Sequence, residues 1–332
     1  MGMKDLRIAL VADKLTASCL SAECQLSTIT PRNYRWVLRF CKPDILLVES
    51  AWEGSKSSWK YKIAAYPDHP ERNNSDLRKV VGYARERGIP TVFWNKEDAV
   101  HFDRFINSAS LFEHIFTVDE NCISKYRSVV APEVTVNKLM FPVQPKTHYF
   151  EGFKFGCNEA SFVGSYSHNI HHRRREWQNL MFQACVKAGM TVSIYDRNSD
   201  RKSANYRYPQ TTGIEVLPAI GHADTAKIYR RYLVSLNVNT VEDSPSMYSR
   251  RLVEILACGG IAVTNPTAAV DRYFADYCHT VDDYSQAVEL FARLKHGPSA
   301  ADLERAEAGS RYVLANHTWG QRLADICRVV SI

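Results

Sequence analysis

Short apolar runs alternate along the chain with stretches of helical spacing. Residues 6–12 and 44–49 read as strands. Ser75 then caps a predicted helix in which Leu77, Val80, Val81 and Ala84 form one apolar face, stopped by Gly88 with Pro90 just beyond. Strands follow at 91–94 and 114–118. After a proline- and aromatic-rich stretch at 141–150 the pattern restarts with a strand at 160–163 and a helix from about His172 to Lys187. Further strands are expected at 191–195, 214–217, 233–238 and 261–264. Strand-then-helix alternation with continuous apolar strands predicts parallel sheets covered on both faces. The expected fold class is α/β: two tandem Rossmann-like domains facing each other across a cleft. Residues 1–145 and 155–315 form the two domains, and 316–332 a closing helix.

Length and composition agree with this. A chain of 332 residues accommodates two domains of about 150 residues, and 45% hydrophobic with 23% charged residues suits a packed core. No apolar run approaches the roughly 20 residues of a membrane span. The first residues lack a signal-peptide core, and Gly2 stands outside a myristoylation pattern. Nine cysteines without a C-x-x-C pair fit reduced thiols in a cytoplasmic protein and argue against a zinc site. The net charge of +6 suits anionic ligands or peripheral contact with an anionic inner membrane face. It is too mild to imply nucleic acid.

The most informative segment is 244–265: a polar loop, a short helix, a Gly-Gly stop and a buried strand. Arg251 and Glu254 share a face near the helix start, where backbone amides are unpaired and the dipole is positive. An arginine at such a terminus suits a diphosphate, and a carboxylate one turn inside suits ribose hydroxyls. The competing reading is a solvated ion pair of little energy. Gly164 and Ser165, after the strand at 160–163, form a turn that lets backbone amides approach phosphate, and Arg174 of the run Arg173-Arg-Arg175 is a further candidate.

These fragments resemble the CgeB-type, family-1-like glycosyltransferases of the GT-B fold. Arg251-Leu-Val-Glu-Ile-Leu-Ala-Cys-Gly-Gly260 is similar to that family's R-x-F-E-x-x-A-C-G-G signature, with Val253 in place of the aromatic. Phe162-Val-Gly-Ser-Tyr166, Val234-Ser-Leu-Asn-Val-Asn239 and Asn316-His-Thr-Trp-Gly-Gln-Arg322 resemble other parts of it, in the same order. Phe93-Trp-Asn-Lys-Glu-Asp98 and His101-Phe102 look like the F-W-x-x-E-D-P-x-H-F segment of polysaccharide-building members, with Ala99 in place of proline. The resemblance implies transfer of a sugar from a nucleotide-diphosphate donor on the C-terminal domain to a glycan or glycoconjugate acceptor on the N-terminal one, with no metal and no cofactor beyond the nucleotide-sugar. Many retaining members carry a glutamate eight positions before the one matched by Glu254; here that position is Ser246.

An inverting transfer needs a base for the acceptor hydroxyl. Asp98 and His101, close enough in sequence to meet around one turn, are the expected base pair, with Asp98 as a helix cap the competing reading. Asp13, at the end of the first strand, is the runner-up. Trp52 and Glu97 are placed on the acceptor side, Trp52 as a platform for a sugar ring. Two alternatives share the fold: a sugar-nucleotide epimerase, and a catalytically inactive nucleotide-sugar-binding protein.

Overall fold

The computed structural model describes residues 3–332, so the reading of Gly2 lies outside the described residues. They divide into two compact units. The first comprises the residues up to Phe141, Pro245–Met247 and Trp319–Ile332; the second comprises Pro142–Ser244 and Tyr248–Thr318.

The first unit runs β1 (Arg7–Val11), α1 (Lys14–Leu20), β2 (Gln25–Thr28), α2 (Tyr34–Trp36) continued by a π-helical turn (Val37–Cys41), β3 (Ile45–Glu49) and α3 (Ser75–Arg85). It continues through β4 (Thr91–Asn95), α4 (Phe102–Ala109), β5 (His114–Thr117), α5 (Cys122–Arg127) and β6 (Thr135–Lys138). Its six strands are parallel, in the order β2-β1-β3-β4-β5-β6. Every residue of β3 and β4 is buried, which explains their unbroken apolar runs: helices cover both faces. Leu77, Val80, Val81 and Ala84 of α3 join Leu46, Val48 and Phe93 in the core, as the spacing predicted. Ser75 is the first helical residue after Asn74 and does not cap the helix from outside.

The second unit runs β7 (Cys157–Gly164), α6 (His172–Lys187), β8 (Val192–Asp196), β9 (Ile214–Leu217), α7 (His222–Arg231), β10 (Tyr232–Leu236), α8 (Arg250–Ala257) and β11 (Ile261–Thr264). It then runs α9 (Ala268–Tyr273), β12 (His279–Thr280), α10 (Tyr284–Leu294) and α11 (Ala300–Asn316). Its parallel order is β12-β11-β10-β7-β8-β9, the doubly wound arrangement of dinucleotide-binding domains. The Gly-Gly stop after α8 is required locally. Gly259 has φ +72°, and a Cβ there would stand 2.4 Å from the Phe150 ring.

The last helix, α12 (Trp319–Val330), belongs to the first unit. Trp319 meets Trp94 edge-on at 5.4 Å, and Arg322 donates from Nε to the Met140 carbonyl. No described helix is long and apolar enough to cross a membrane.

In doubly wound sheets ligands bind beyond the carboxyl ends of the strands where the strand order reverses. That point lies between β1 and β3 in the first unit and between β7 and β10 in the second.

Candidate active site

In the second unit β7 ends at Gly164, where a Cβ would lie 2.5 Å from the Phe162 ring and 2.9 Å from Arg251 Nη2. The missing side chain makes room for the guanidinium. Arg251, in the first turn of α8, donates from Nε to the Val163 carbonyl (2.6 Å) and from Nη1 to Asn237 Oδ1 (3.3 Å), and lies 4.4 Å over the Phe162 ring. Arg174, in the first turn of α6, reaches back to donate from Nη2 to the Ser165 carbonyl (2.7 Å) and hydroxyl (3.2 Å). Residues 166–171 separate Ser165 from α6, so the turn is shaped by the Arg174 side chain rather than by a helix N-terminus. Burial lowers both guanidinium pKa values, Arg174 to about 10, where the charges of Arg251 and Arg197 act in the same direction. Among the described residues neither Arg174 nor Arg251 makes an ion pair. Partly buried cations without a carboxylate form a site for an anion.

One turn further along α8, Glu254 is buried and its Oε1 lies 2.8 Å from His222 Nε2, at the start of α7. Burial alone would raise its pKa. The His222 hydrogen bond and the charges of His148, His222 and Arg250 outweigh that and hold it at about 2. Arg251 and Glu254 therefore turn to different partners, and the expected competing reading of a surface ion pair does not apply. Buried His148 donates from Nε2 to Thr225 Oγ1 (2.8 Å), since that hydroxyl's proton goes to the His222 carbonyl (2.7 Å). Its Nδ1 has no partner, and burial lowers its pKa to about 4. His148, His222 and Glu254 offer ligand atoms within 4.8 Å of one another, the one such group among the described residues that could hold a metal.

The loop entering α8 is fixed by amide side chains beyond β10 and β11. Asn237 donates to Thr264 Oγ1 (2.9 Å), and Asn239 Oδ1 accepts from the Ser249 amide (2.8 Å). Asn265 Oδ1 accepts from the Asn239 amide (2.8 Å). Each of the three amide groups also donates within this buried set, which ties the loop to the ends of β10 and β11.

In the first unit, the reversal between β1 and β3 holds Asp13, Glu49 and Lys96. Lys96 Nζ lies 3.1 Å from Asp13 Oδ2 and 3.0 Å from Glu49 Oε1. Glu49 also accepts from the Asp13 amide and from Thr16 Oγ1, both at 2.6 Å. Burial works to raise the Asp13 pKa, but Lys96 and the amides of Gly54 and Glu53 hold it below the ordinary carboxylate range.

Residues 162–328 match a protein family described as glycosyl transferase-like. The chain belongs to that family. Among solved structures it is similar to an alpha-glucosyltransferase in complex with UDP and a 13-mer DNA containing an HMU base (11% identity, 99% of this chain and 100% of the other, TM-score 0.65). It is also similar to a sucrose-phosphate synthase from Thermosynechococcus elongatus (10% identity, 98% of each chain, TM-score 0.58). A third is the DNA-modifying enzyme beta-glucosyltransferase (8% identity, 98% and 99%, TM-score 0.60). No curated protein matches the sequence. The fold is that of GT-B enzymes, and the chain is a glycosyltransferase.

The expected acid–base residues of this glycosyltransferase separate in the structure. Asp98 is buried and accepts from Asn95 Nδ2 (2.7 Å), Thr117 Oγ1 (2.7 Å) and Tyr126 OH (2.9 Å). Burial raises its pKa to about 7. The Asp98–Ala99 peptide bond is cis. Asp98 neither pairs with His101 nor caps α4, which starts at Phe102; the expected Asp98–His101 dyad does not form. His101 instead meets Trp52 edge-on at 5.2 Å, and its amide donates to the Glu97 carbonyl (2.9 Å). Burial lowers the His101 pKa, partly opposed by the charge of Glu97. Trp52 also packs edge-on against Phe105 at 5.1 Å, so only part of it is free as a platform. Asp13 is an anchor, its carboxylate occupied by Lys96 and by the amides of Trp52, Glu53 and Gly54. Ser246 accepts from the Glu120 amide (2.8 Å) and donates to the Val118 carbonyl (2.9 Å) within the first unit.

Sequence reasoning missed Lys96, His148 and His222. Lys96 follows a strand end, which was a usable signal. The two histidines stand in a proline-rich stretch and at a helix start, where nothing in the spacing marks them as neighbours of Glu254.

Asp98→Ala leaves buried donors of Asn95, Thr117 and Tyr126 without an acceptor, at about 1–3 kcal/mol for an unsatisfied group. Urea unfolding is expected to show a loss of at least about 2 kcal/mol, with a smaller loss for Asp98→Asn, which keeps an acceptor oxygen. Full stability of Asp98→Ala with abolished transfer would make Asp98 catalytic and contradict the buried-anchor assignment.

Proposed function

We propose that this glycosyltransferase takes its sugar from a nucleoside-diphosphate donor bound by the second unit and passes it to a hydroxyl of a glycan or glycoconjugate held by the first. The observation that carries this reading is the pair Arg174 and Arg251, set at the β7/β10 reversal without a carboxylate partner. A diphosphate supplies the missing negative charge. UDP is the first nucleotide to test, because one of the similar solved structures binds it. The CgeB-type resemblance supports an acceptor in polysaccharide or glycoconjugate assembly.

In the reaction the bond from the anomeric carbon to the diphosphate oxygen breaks, and a bond to the acceptor oxygen forms. Charge developing on the leaving diphosphate is met by the two guanidiniums, already desolvated and aimed by the Val163 and Ser165 carbonyls. Gly164 permits the close approach. Glu254, ionised across the working pH range, accepts hydrogen bonds from the ribose hydroxyls. His101, neutral near pH 7 because burial lowers its pKa, takes the proton from the acceptor hydroxyl if the reaction inverts configuration. Trp52 and Glu97 flank it on the acceptor side. Metal is not required in this reading, since cationic side chains neutralise the diphosphate.

Glu254→Ala is expected to cut donor-dependent transfer at least about 30-fold while circular dichroism stays native, from the loss of charge-assisted hydrogen bonds worth about 1.5–3 kcal/mol each. Unchanged transfer removes the ribose assignment. Treatment with a chelator is expected to leave the wild-type rate intact; a rate lost on chelation and restored by zinc assigns His148, His222 and Glu254 to a metal.

The pH profile of kcat/KM follows from His101. Its pKa lies below the ordinary 6.5, so the neutral base persists on acidification until the pH passes that lowered value. The acid limb is expected below pH 6.5 and absent in His101→Ala, whose residual rate is roughly 100-fold lower or less. An acid limb retained in His101→Ala assigns the base elsewhere.

A further inference from the structure

One face of the first unit carries an unusual combination. The helical segment formed by α2 and its π-helical continuation buries Tyr34, Val37 and Leu38 and turns Trp36 and Phe40 outward, 61% and 59% exposed. The two rings touch, centroids 5.9 Å apart. Trp36 is the exposed tryptophan of the six in the chain. Residues 25–43 contain no acidic side chain, yet Arg32, Arg35, Arg39 and Lys42 all lie there, exposed around the aromatic pair.

Beside the pair lies a cavity of about 400 Å³ whose lining includes Arg7, Arg39, Lys42 and Arg87. Asp44 neutralises Arg7 at 2.8 Å. Among the described residues Arg39, Lys42 and Arg87 make no ion pair. The cavity opens at the amino ends of β1, β3 and β4: Arg7 begins β1, Asp44 precedes β3, and Gly88 and Ile89 precede β4. Asp13, Glu49 and Lys96 stand at the other ends of these strands.

We propose that this face docks on an anionic lipid bilayer, with Trp36 and Phe40 in the headgroup–acyl boundary and a lipid phosphate in the cavity beside Arg39, Lys42 and Arg87. Charge complementarity selects the occupant. Amphipathic aromatic rings favour the interfacial zone of a bilayer, and cations around them meet the phosphates. A soluble anion would use the cavity but leave the aromatic pair in water. With the sheet's amino ends on the membrane, its carboxyl ends remain free for chemistry.

Sedimentation of the full chain with phosphatidylcholine vesicles, with and without phosphatidylglycerol, tests this. Binding is expected only to the anionic vesicles and to fall steeply with salt. Arg39→Gln combined with Lys42→Gln is expected to weaken it roughly 25-fold, from about 1 kcal/mol per cation. Trp36→Ser with Phe40→Ser is expected to weaken it at least tenfold. Quenching of tryptophan fluorescence by brominated lipid should be seen in the wild type and lost in Trp36→Phe. All variants should keep the wild-type melting temperature and donor-dependent transfer to a soluble acceptor. Absent or lipid-independent binding overturns the proposal, as does anionic binding that the variants do not change. Displacement by inorganic phosphate beyond that by chloride at equal ionic strength makes the cavity a soluble-phosphate site and overturns it. So does a dimer in solution that the Trp36→Ser, Phe40→Ser variant dissociates without any vesicle binding.

Discussion

The second unit is organised around a pair of guanidiniums withdrawn from water, neither of which makes an ion pair among the described residues. Arg251 is clamped between the Val163 carbonyl, Asn237 and the face of Phe162, and Arg174 is tied to Ser165. Partial burial of like charges is unfavourable for the fold taken alone, as their lowered pKa values register. Much of the surrounding structure keeps them there: the absent side chain at Gly164, and the asparagine set that fixes the loop into α8. Strand order places this charge at the reversal point of a doubly wound sheet. An anion bound beside the two guanidiniums would offset that cost.

The first unit has the opposite electrostatic plan. Three carboxylates beyond its strand ends are already answered, Asp13 and Glu49 at the reversal point by Lys96 and by backbone amides, and Asp98 after β4 by three neutral donors. These groups position the loops after β1, β3 and β4 and have little capacity left for a substrate. His101, beside Trp52 and Glu97, is the titratable side chain there whose ring is not committed to a buried network. In the proposed reaction, charge stabilisation falls to the second unit and proton transfer to the first.

Much of the architecture was legible because buried parallel strands leave continuous apolar runs. β1, β3, β4, β5, β7, β8, β9, β10 and β11 were all visible, as was α6 between His172 and Lys187. The strands that escaped, β2, β6 and β12, are edge strands with one neighbour each and partly exposed residues, so their sequences read as polar loops. The Arg251 and Glu254 helix was legible because a helix start, a glycine stop and a strand follow one another locally. Which partners those side chains choose was not, since Val163, Asn237 and His222 come from other elements. The Asp98 and His101 expectation failed for the same reason: nearness in sequence suggested a pair, while Thr117 and Tyr126, distant in sequence, captured the carboxylate.

Thermal denaturation with uridine, UMP and UDP, repeated with the guanosine and adenosine series, tests most directly whether the arginine pair binds a diphosphate. A ligand that binds only the folded chain stabilises it by about 2.7 kcal/mol at a hundredfold excess over Kd. One nucleoside diphosphate is expected to raise the melting temperature well above its monophosphate and nucleoside, and this increment is expected to disappear in Arg251→Ala. No stabilisation by any nucleoside diphosphate, or an equal effect from nucleoside and diphosphate, would contradict diphosphate binding by the pair.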